Sequence, residues 1–334
     1  KVARSSRGQV APLRALDTIA KGLALPFAEG LALERRAFMD LMQTPERAAM
    51  IHAFFSERRA AQQDDLKGVT PREVNRIGVI GGGTMGQGIA ASALSAGLDV
   101  TLVERDDAAA AKAAAGIARM QDGAVKRGKL SQSDRDTMMA DRFRAVTDDQ
   151  ALADADLVIE AVFESMDVKR EVFARLDGIC RPGAVLATNT SYLDVNEIAA
   201  ATGRPQDVIG LHFFSPANVM RLLEIVVADR TAPDVVATAF ALAKRMGKIG
   251  VRSGVCDGFI GNRILKRYRA GAEALLRQGV PIADIDAAMR GYGFAMGPFE
   301  AQDLGGLDIA FLQREGARAA EQGGQAAAGR GPVR

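Results

Sequence analysis

Two residue types that carry much of protein chemistry are scarce in this chain of 334 residues: it has two cysteines, Cys180 and Cys256, and two histidines, His52 and His212. Two cysteines far apart in sequence cannot build a disulfide framework, and no CxxC or Cys/His cluster marks a zinc site. Two reduced thiols and no metal are the expectation. Charge of either sign is also not in excess: 43 basic residues face 41 acidic ones, for a net +2. That balance predicts no broad attraction to nucleic acid or to acidic membranes, and leaves room only for a local basic patch against a phosphate-bearing ligand. No apolar run approaches the roughly 20 residues of a membrane span. The basic start, residues 1–14, is followed by no apolar stretch of the kind a signal peptide requires. The chain opens on lysine rather than methionine and reads as a piece of something longer. At 48% hydrophobic and 25% charged residues it has a globular composition, with length for two ordinary domains and part of a third.

Periodicity divides the chain. Residues 1–71 read as helical, ending in a linker. Apolar Leu31, Phe38, Leu41 and Met42 recur at helical spacing after Pro26, and Thr44-Pro45-Glu46 starts a second helix to about residue 61. The polar stretch 62–72, with Gly68 and Pro71, is the linker. Short apolar runs then alternate with helical ones. Strands are expected at 76–80, 99–103, 157–162, 184–188, 208–213 and 222–227. Helices are expected at 84–96, 108–129, 167–177, 195–201 and 233–246. Such alternation predicts an α/β domain over 72–254, a doubly wound parallel sheet covered on both faces. A helical domain is expected to begin at 255 and run to 316, with helix from Phe259, apolar at Ile264, Leu265 and Leu275, and a loop over the glycine-rich stretch 291–306. The tail 317–334 has no apolar periodicity, so disorder is expected there.

The first strand runs into Gly81-Gly82-Gly83-Thr84-Met85-Gly86, which fits GxGxxG. The pattern alone is weak, but here it lies between a strand and a helix with a second strand following, the context of a Rossmann-type dinucleotide site. Gly81 permits the tight turn, Gly83 lets the backbone approach a pyrophosphate, and Gly86 allows close helix–strand packing. Thr84 and Met85 open the helix whose free amides would meet that pyrophosphate. Glu104, at the end of the second strand, suits both adenosine ribose hydroxyls and would repel a 2′-phosphate, which favours NAD over NADP. Arg105 beside it softens that preference.

A dinucleotide site that oxidises an alcohol needs a base. His52 sits on an N-terminal helix beside Phe54 and Phe55, where packing or surface is the usual role. His212 closes the apolar run Val208-Ile209-Gly210-Leu211, and carboxyl ends of strands line the ligand crevice in open α/β sheets. An imidazole there can accept an alcohol's proton near neutral pH. Glu224 is an acid inside an otherwise apolar strand. It either partners the histidine or faces solvent on an edge strand, and the residues alone leave both open.

Together these segments resemble the 3-hydroxyacyl-CoA dehydrogenase family, in particular the dehydrogenase part of multifunctional fatty-acid β-oxidation enzymes. The resemblance rests on IGVIGGGTMGQGIA (77–90), VFESMDVKREVFARLD (162–177), ATNTSYLDVNEIA (187–199), GLHFFSPANVMRLLEIV (210–226), DGFIGNRIL (257–265) and GFAMGPFEAQDLGGLD (293–308), in that order. Serine at 215 looks like the multifunctional branch. Residues 1 to about 60 look like the end of an enoyl-CoA hydratase domain, whose catalytic glutamates would lie upstream, so no hydratase activity is expected from this piece.

The resemblance implies NAD-dependent oxidation of (3S)-3-hydroxyacyl-CoA to 3-oxoacyl-CoA. It makes His212 the catalytic base, Glu224 its partner, Ser191 a hydrogen-bonding contact of the substrate 3-oxygen, and Asn262 a holder of substrate and catalytic arrangement. Asn189 and Glu164 fall on the cofactor side, Glu164 near the nicotinamide ribose, and Lys169 faces the cofactor or coenzyme A side. Implied partners are an acyl-CoA substrate, an upstream hydratase domain and a thiolase subunit, in bacterial cytoplasm or a peroxisome. The family's helical half should continue beyond Asp308, and without it the helix from Phe259 would expose an apolar face. Other readings are a non-catalytic NAD-binding remnant, a 3-hydroxybutyryl-CoA dehydrogenase outside β-oxidation, and a free β-hydroxyacid dehydrogenase, which relies on a lysine base.

Overall fold

The computed structural model describes residues 8–305, together with Val2 and Ser6. The expected disorder of 317–334 lies outside the described residues. The described residues divide into two compact units, one of residues 51–263 and one gathering those before 51 with those from 264 on.

The first unit is built on an eight-stranded sheet. Its strands are β1 (Arg76–Ile80), β2 (Asp99–Val103), β3 (Phe143–Val146), β4 (Leu157–Glu160), β5 (Val185–Thr188), β6 (Val208–Phe213), β7 (Leu222–Val227) and β8 (Ile249–Gly254). Their order is β3-β2-β1-β4-β5-β6-β7-β8, parallel except where β7 runs antiparallel to β6. The strand order reverses beside β1, which opens the crevice for a ligand there. The α/β doubly wound sheet expected from sequence is what forms.

Helices α1 (Ala11–Gly22), α2 (Phe27–Met42) and α3 (Pro45–Ala60) precede the sheet. Within it lie α4 (Thr84–Ser95), α5 (Asp107–Lys126), α6 (Gln132–Asp141), α7 (Met166–Ile179), α8 (Val195–Ala199) and α9 (Pro233–Arg245). Beyond it are α10 (Gly261–Arg277), α11 (Ile282–Tyr292) and α12 (Pro298–Gly305). No helix among the described residues is long and apolar enough to cross a membrane.

Every residue of β4, β5 and β6 is buried, because helices cover both faces. Side chains alternate between two cores, as a strand's period of two demands. Val79, Ile159, Ala187 and Leu211 pack with α4, α5 and α9. Ile80, Val158 and Leu186 pack with Val172, Phe173 and Leu176 of α7 and Val195 and Ile198 of α8. Each such large side chain taken from water contributes about 1.5–3 kcal/mol before chain entropy is counted.

Three elements were not expected from sequence. Strand β3 is short and lies at the sheet's edge, and β8 is interrupted by Gly250 and Arg252, so neither shows a long apolar run. Helix α6 has little hydrophobic patterning, though Ser131 caps it by accepting from Asp134 N, a local start signal present in the sequence. Two expectations need correction. The stretch 291–306 is not all loop: α11 reaches Tyr292 and α12 occupies Pro298–Gly305. The buried Asp286 accepts from Phe299 N at 3.0 Å and Glu300 N at 3.2 Å, so a carboxylate from another helix caps α12, beside a local start signal in Pro298 and in Glu300, which accepts from Gly297 N at 2.9 Å. Helix α10 starts at Gly261 rather than Phe259, because Gly258 and Phe259 adopt left-handed φ of 68° and 47°. On α10 the apolar Ile264 is 66% exposed.

Candidate active site

The carboxyl ends of β1, β2, β4, β5 and β6 lie along one edge of the sheet, and the site is assembled there. At β1, Gly81 has φ of 92°, and a Cβ on it would lie 2.8 Å from Ala161 O. A Cβ on Gly86 would lie 1.7 Å from Gly81 O, so only glycine lets α4 approach the strand. Gly83 precedes Thr84 and Met85 at the start of α4, and a Cβ there would meet nothing within 4 Å. Helices α5 and α6 are capped by Asp106 and Ser131, whereas α4 has no side-chain cap. Gly83 and Thr84 are exposed at this uncapped, positive end of the helix, which fits a pyrophosphate. Glu104, half-buried after β2, accepts from Gly82 N at 2.7 Å and Arg105 N at 3.0 Å. The two amides fix this carboxylate beside the glycine turn, where a ribose diol would reach it.

At β6 and β7, His212 and Glu224 are directly opposite residues of the antiparallel pair and project from the same face. His212 Nδ1 lies 2.7 Å from Glu224 Oε2, with His212 5% and Glu224 1% exposed. Strand β7 is internal, so Glu224 is a buried partner rather than an edge residue facing solvent. A buried carboxylate without partners would cost several kcal/mol. Glu224 avoids this cost because its Oε1 also accepts from Ile260 N at 3.1 Å and Gly261 N at 2.6 Å, at the start of α10. The left-handed Gly258-Phe259 pair turns those two amides inward. A carboxylate only accepts, so the His212 proton sits on Nδ1 and the Nε2 lone pair is free. Phe214 and Phe259 flank the ring at centroid distances of 4.4 and 5.7 Å.

At β4 and β5 a second polar group forms. Glu164 Oε1 accepts from Thr190 Oγ1 at 2.7 Å, Ser191 N at 2.6 Å and Ser191 Oγ at 3.1 Å. Its Oε2 lies 3.1 Å from Lys169 Nζ, which is 2.6 Å from Glu160 Oε1. Burial would push the Glu164 carboxyl up, but the Lys169 ammonium and the hydrogen bonds from Thr190 and Ser191 outweigh it and hold it below its usual value. Asn189 Oδ1 accepts from Phe213 N at 2.9 Å, which ties the loop after β5 to the strand carrying His212. Asn262 Nδ2 donates to Ser191 O at 3.3 Å.

The structure thus brings together Ser191, Asn262, Glu164 and Lys169 in one hydrogen-bonded chain and His212 with Glu224 in another. Gly81, Gly83, Thr84, Met85, Gly86 and Glu104 form a third group on the same edge. His52 lies on an exposed face of α3, with Ser56 Oγ 3.4 Å from its Nε2. Sequence reasoning passed over Glu160. Its signal was the one that drew attention to Glu224, an acid within an apolar strand, here Leu157-Val158-Ile159-Glu160.

Residues 76–256 match the family profile of the 3-hydroxyacyl-CoA dehydrogenase NAD-binding domain, and residues 258–330 match the profile of its C-terminal domain. The chain belongs to the 3-hydroxyacyl-CoA dehydrogenase family. NAD is accordingly the cofactor of its sheet domain. A peroxisomal bifunctional enzyme of Cavia porcellus is 40% identical over 95% of this chain and 44% of its own length. A fatty acid oxidation complex subunit alpha of Shewanella amazonensis is 35% identical, over 89% of this chain and 42% of its own. The chain therefore spans less than half the length of these relatives. Among solved structures, a 3-hydroxybutyryl-CoA dehydrogenase of Escherichia coli is 43% identical with a TM-score of 0.69, over 72% of this chain and 51% of that one.

Proposed function

We propose that this chain oxidises (3S)-3-hydroxyacyl-CoA to 3-oxoacyl-CoA with NAD, in fatty-acid β-oxidation. The observation that carries the proposal is the buried His212–Glu224 pair at 2.7 Å, on the sheet edge that also bears the glycine turn. His212 Nε2 takes the proton of the substrate hydroxyl, and Glu224 stabilises the imidazolium that results. NAD, when bound, supplies the acceptor for the hydride of C3. The Gly81–Gly86 turn with Thr84 and Met85 holds its pyrophosphate, Glu104 its adenosine ribose, and Glu164 and Asn189 the nicotinamide side, while Lys169, buried at 1% exposure behind Glu164, acts on the cofactor only through that carboxylate.

Ser191 orients the 3-oxygen. Three donors crowd Glu164 Oε1, and the Ser191 hydroxyl at 3.1 Å is the longest of them, so it is the one that turns to a ligand at least cost. Asn262 steadies the Ser191 backbone. Alignment with a relative named a bifunctional enzyme across 95% of the chain supports α1–α3 as the end of a preceding hydratase domain, and a relative named subunit alpha of a fatty acid oxidation complex supports a partner subunit for the whole protein, a thiolase in this proposal. It equally supports a peroxisomal or bacterial cytoplasmic setting, the two sources of those relatives.

The test is NADH absorbance after addition of acetoacetyl-CoA, with NADPH in parallel. Acyl-CoA-dependent loss of NADH, and a His212→Gln variant slowed by about 10² to 10⁴ with NADH binding kept, are expected. A folded chain that binds NADH and consumes none would instead mark it as a non-catalytic NAD-binding remnant.

A further inference from the structure

We propose that Glu160 is a positioning residue for Ser191, acting by drawing the Lys169 ammonium away from Glu164, so that Glu164 keeps its negative charge for the turn that carries the Ser191 hydroxyl. This rests on the reading of Ser191 as a substrate contact.

The cluster holds two carboxylates and one ammonium, and its charge is divided unevenly. Lys169 Nζ lies 2.6 Å from Glu160 and 3.1 Å from Glu164, so Glu160 takes the larger share of the ammonium. Glu160 is fully buried and anchored at strand ends, where Oε1 also accepts from Val162 N at 2.7 Å and Oε2 from Thr188 Oγ1 at 2.8 Å. Lys169 is 1% exposed, so no solvent ion competes for it. The uncompensated negative charge therefore falls on Glu164, whose side chain is 26% exposed and whose Oε1 collects Thr190 Oγ1, Ser191 N and Ser191 Oγ. Hydrogen bonds to an ionised acceptor are about twice as strong as neutral ones. With Glu160 neutral, the whole ammonium passes to Glu164, the bonds to Oε1 weaken, and the Thr190–Ser191 turn loosens. If Glu160 merely filled space at the end of β4, an isosteric glutamine would leave that turn unchanged.

The experiment compares the full chain with Glu160→Gln and with Glu160→Gln/Lys169→Met. In Glu160→Gln, amide exchange at Ser191 should quicken about tenfold while β6 amides keep their protection, because a charge-assisted bond has weakened. With acetoacetyl-CoA and NADH, kcat should fall about tenfold and KM for the acyl-CoA stay within about twofold. In the double variant Glu164 has no ammonium to share and keeps the hydrogen bonds from Thr190 and Ser191 that favour its ionised form, so protection at Ser191 should return to the wild-type level. Unchanged exchange and kcat in Glu160→Gln would overturn the proposal, as would failure of the second substitution to restore protection. If Glu160→Gln does not fold, the double variant decides, wild-type protection at Ser191 supporting the proposal and its loss overturning it. If the wild-type chain turns over no acyl-CoA, the functional reading fails while exchange at Ser191 still decides this one.

Discussion

Glu224→Gln changes one atom and removes one buried charge. All three of its neighbours donate: His212 Nδ1 at 2.7 Å, Ile260 N at 3.1 Å and Gly261 N at 2.6 Å. Glutamine has one oxygen to accept with, so its NH2 group must face either the two backbone amides or the imidazole. Facing the imidazole violates one contact instead of two, and the ring then moves its proton to Nε2 to accept from the amide at Nδ1. In that tautomer Nε2 cannot take the substrate proton. Regaining the productive tautomer opposes two buried donors, about 1–3 kcal/mol, and the imidazolium loses a charge-assisted bond of about 1.5–3 kcal/mol. The sum, roughly 2.5–6 kcal/mol, corresponds to a fall in kcat of about 10² to 10⁴ at 1.36 kcal/mol per tenfold. Glu224 touches no part of the glycine turn, so NADH affinity should be unchanged. The assay is steady-state NADH oxidation with acetoacetyl-CoA, beside fluorescence titration of NADH and a thermal melt. A folded Glu224→Gln enzyme within about threefold of wild-type kcat would refute the reasoning, since it would mean that His212 needs no anion to fix its tautomer.

Three other outcomes are expected. Gly86→Ala places a methyl 1.7 Å from Gly81 O, so α4 must retreat from β1; stability should fall by about 1–3 kcal/mol or more and NADH binding weaken, both read by melting and titration. For Asp156, burial raises the carboxyl, but hydrogen bonds from Arg76 N and Asn75 N and the Arg181 guanidinium outweigh it and hold it below its ordinary 3.8. The unfolded chain then binds the proton more readily, so the stabilisation is present above about pH 4 and lost as pH falls through the depressed value, and Asp156→Asn should flatten the acid limb of a stability–pH curve. Burial pushes the Cys180 thiol up to about 11, so an alkylating reagent at pH 8 should label the half-buried Cys256 first and reach Cys180 only on unfolding; equal labelling rates in the native state would contradict this burial.

The sheet was legible in the sequence because its interior strands, buried on both faces, are written as continuous apolar runs. Strands β6 and β7 fall at the bounds expected, and β1 and β2 at theirs. The dinucleotide turn was legible because Gly81 and Gly86 meet backbone at distances no side chain survives, a constraint that leaves only one residue type. Strand β3 and helix α12 were less legible. One is an edge strand of four residues, and the other is capped by Asp286 from a different helix.

By itself the sequence determined the α/β class, the strand that ends in a nucleotide turn, and one acid, Glu224, out of place in an apolar strand, because each of these is a local pattern set by chain geometry. Tertiary structure alone decided what the acids of the site do. Register on the antiparallel β6–β7 pair sets Glu224 against His212, and a left-handed turn at Gly258-Phe259 brings two amides onto its other oxygen. Glu160 and Glu164 came under Lys169 because the chain folds back between the end of β4 and the first turn of α7, and only the fold shows that this nearby lysine is buried between the two acids.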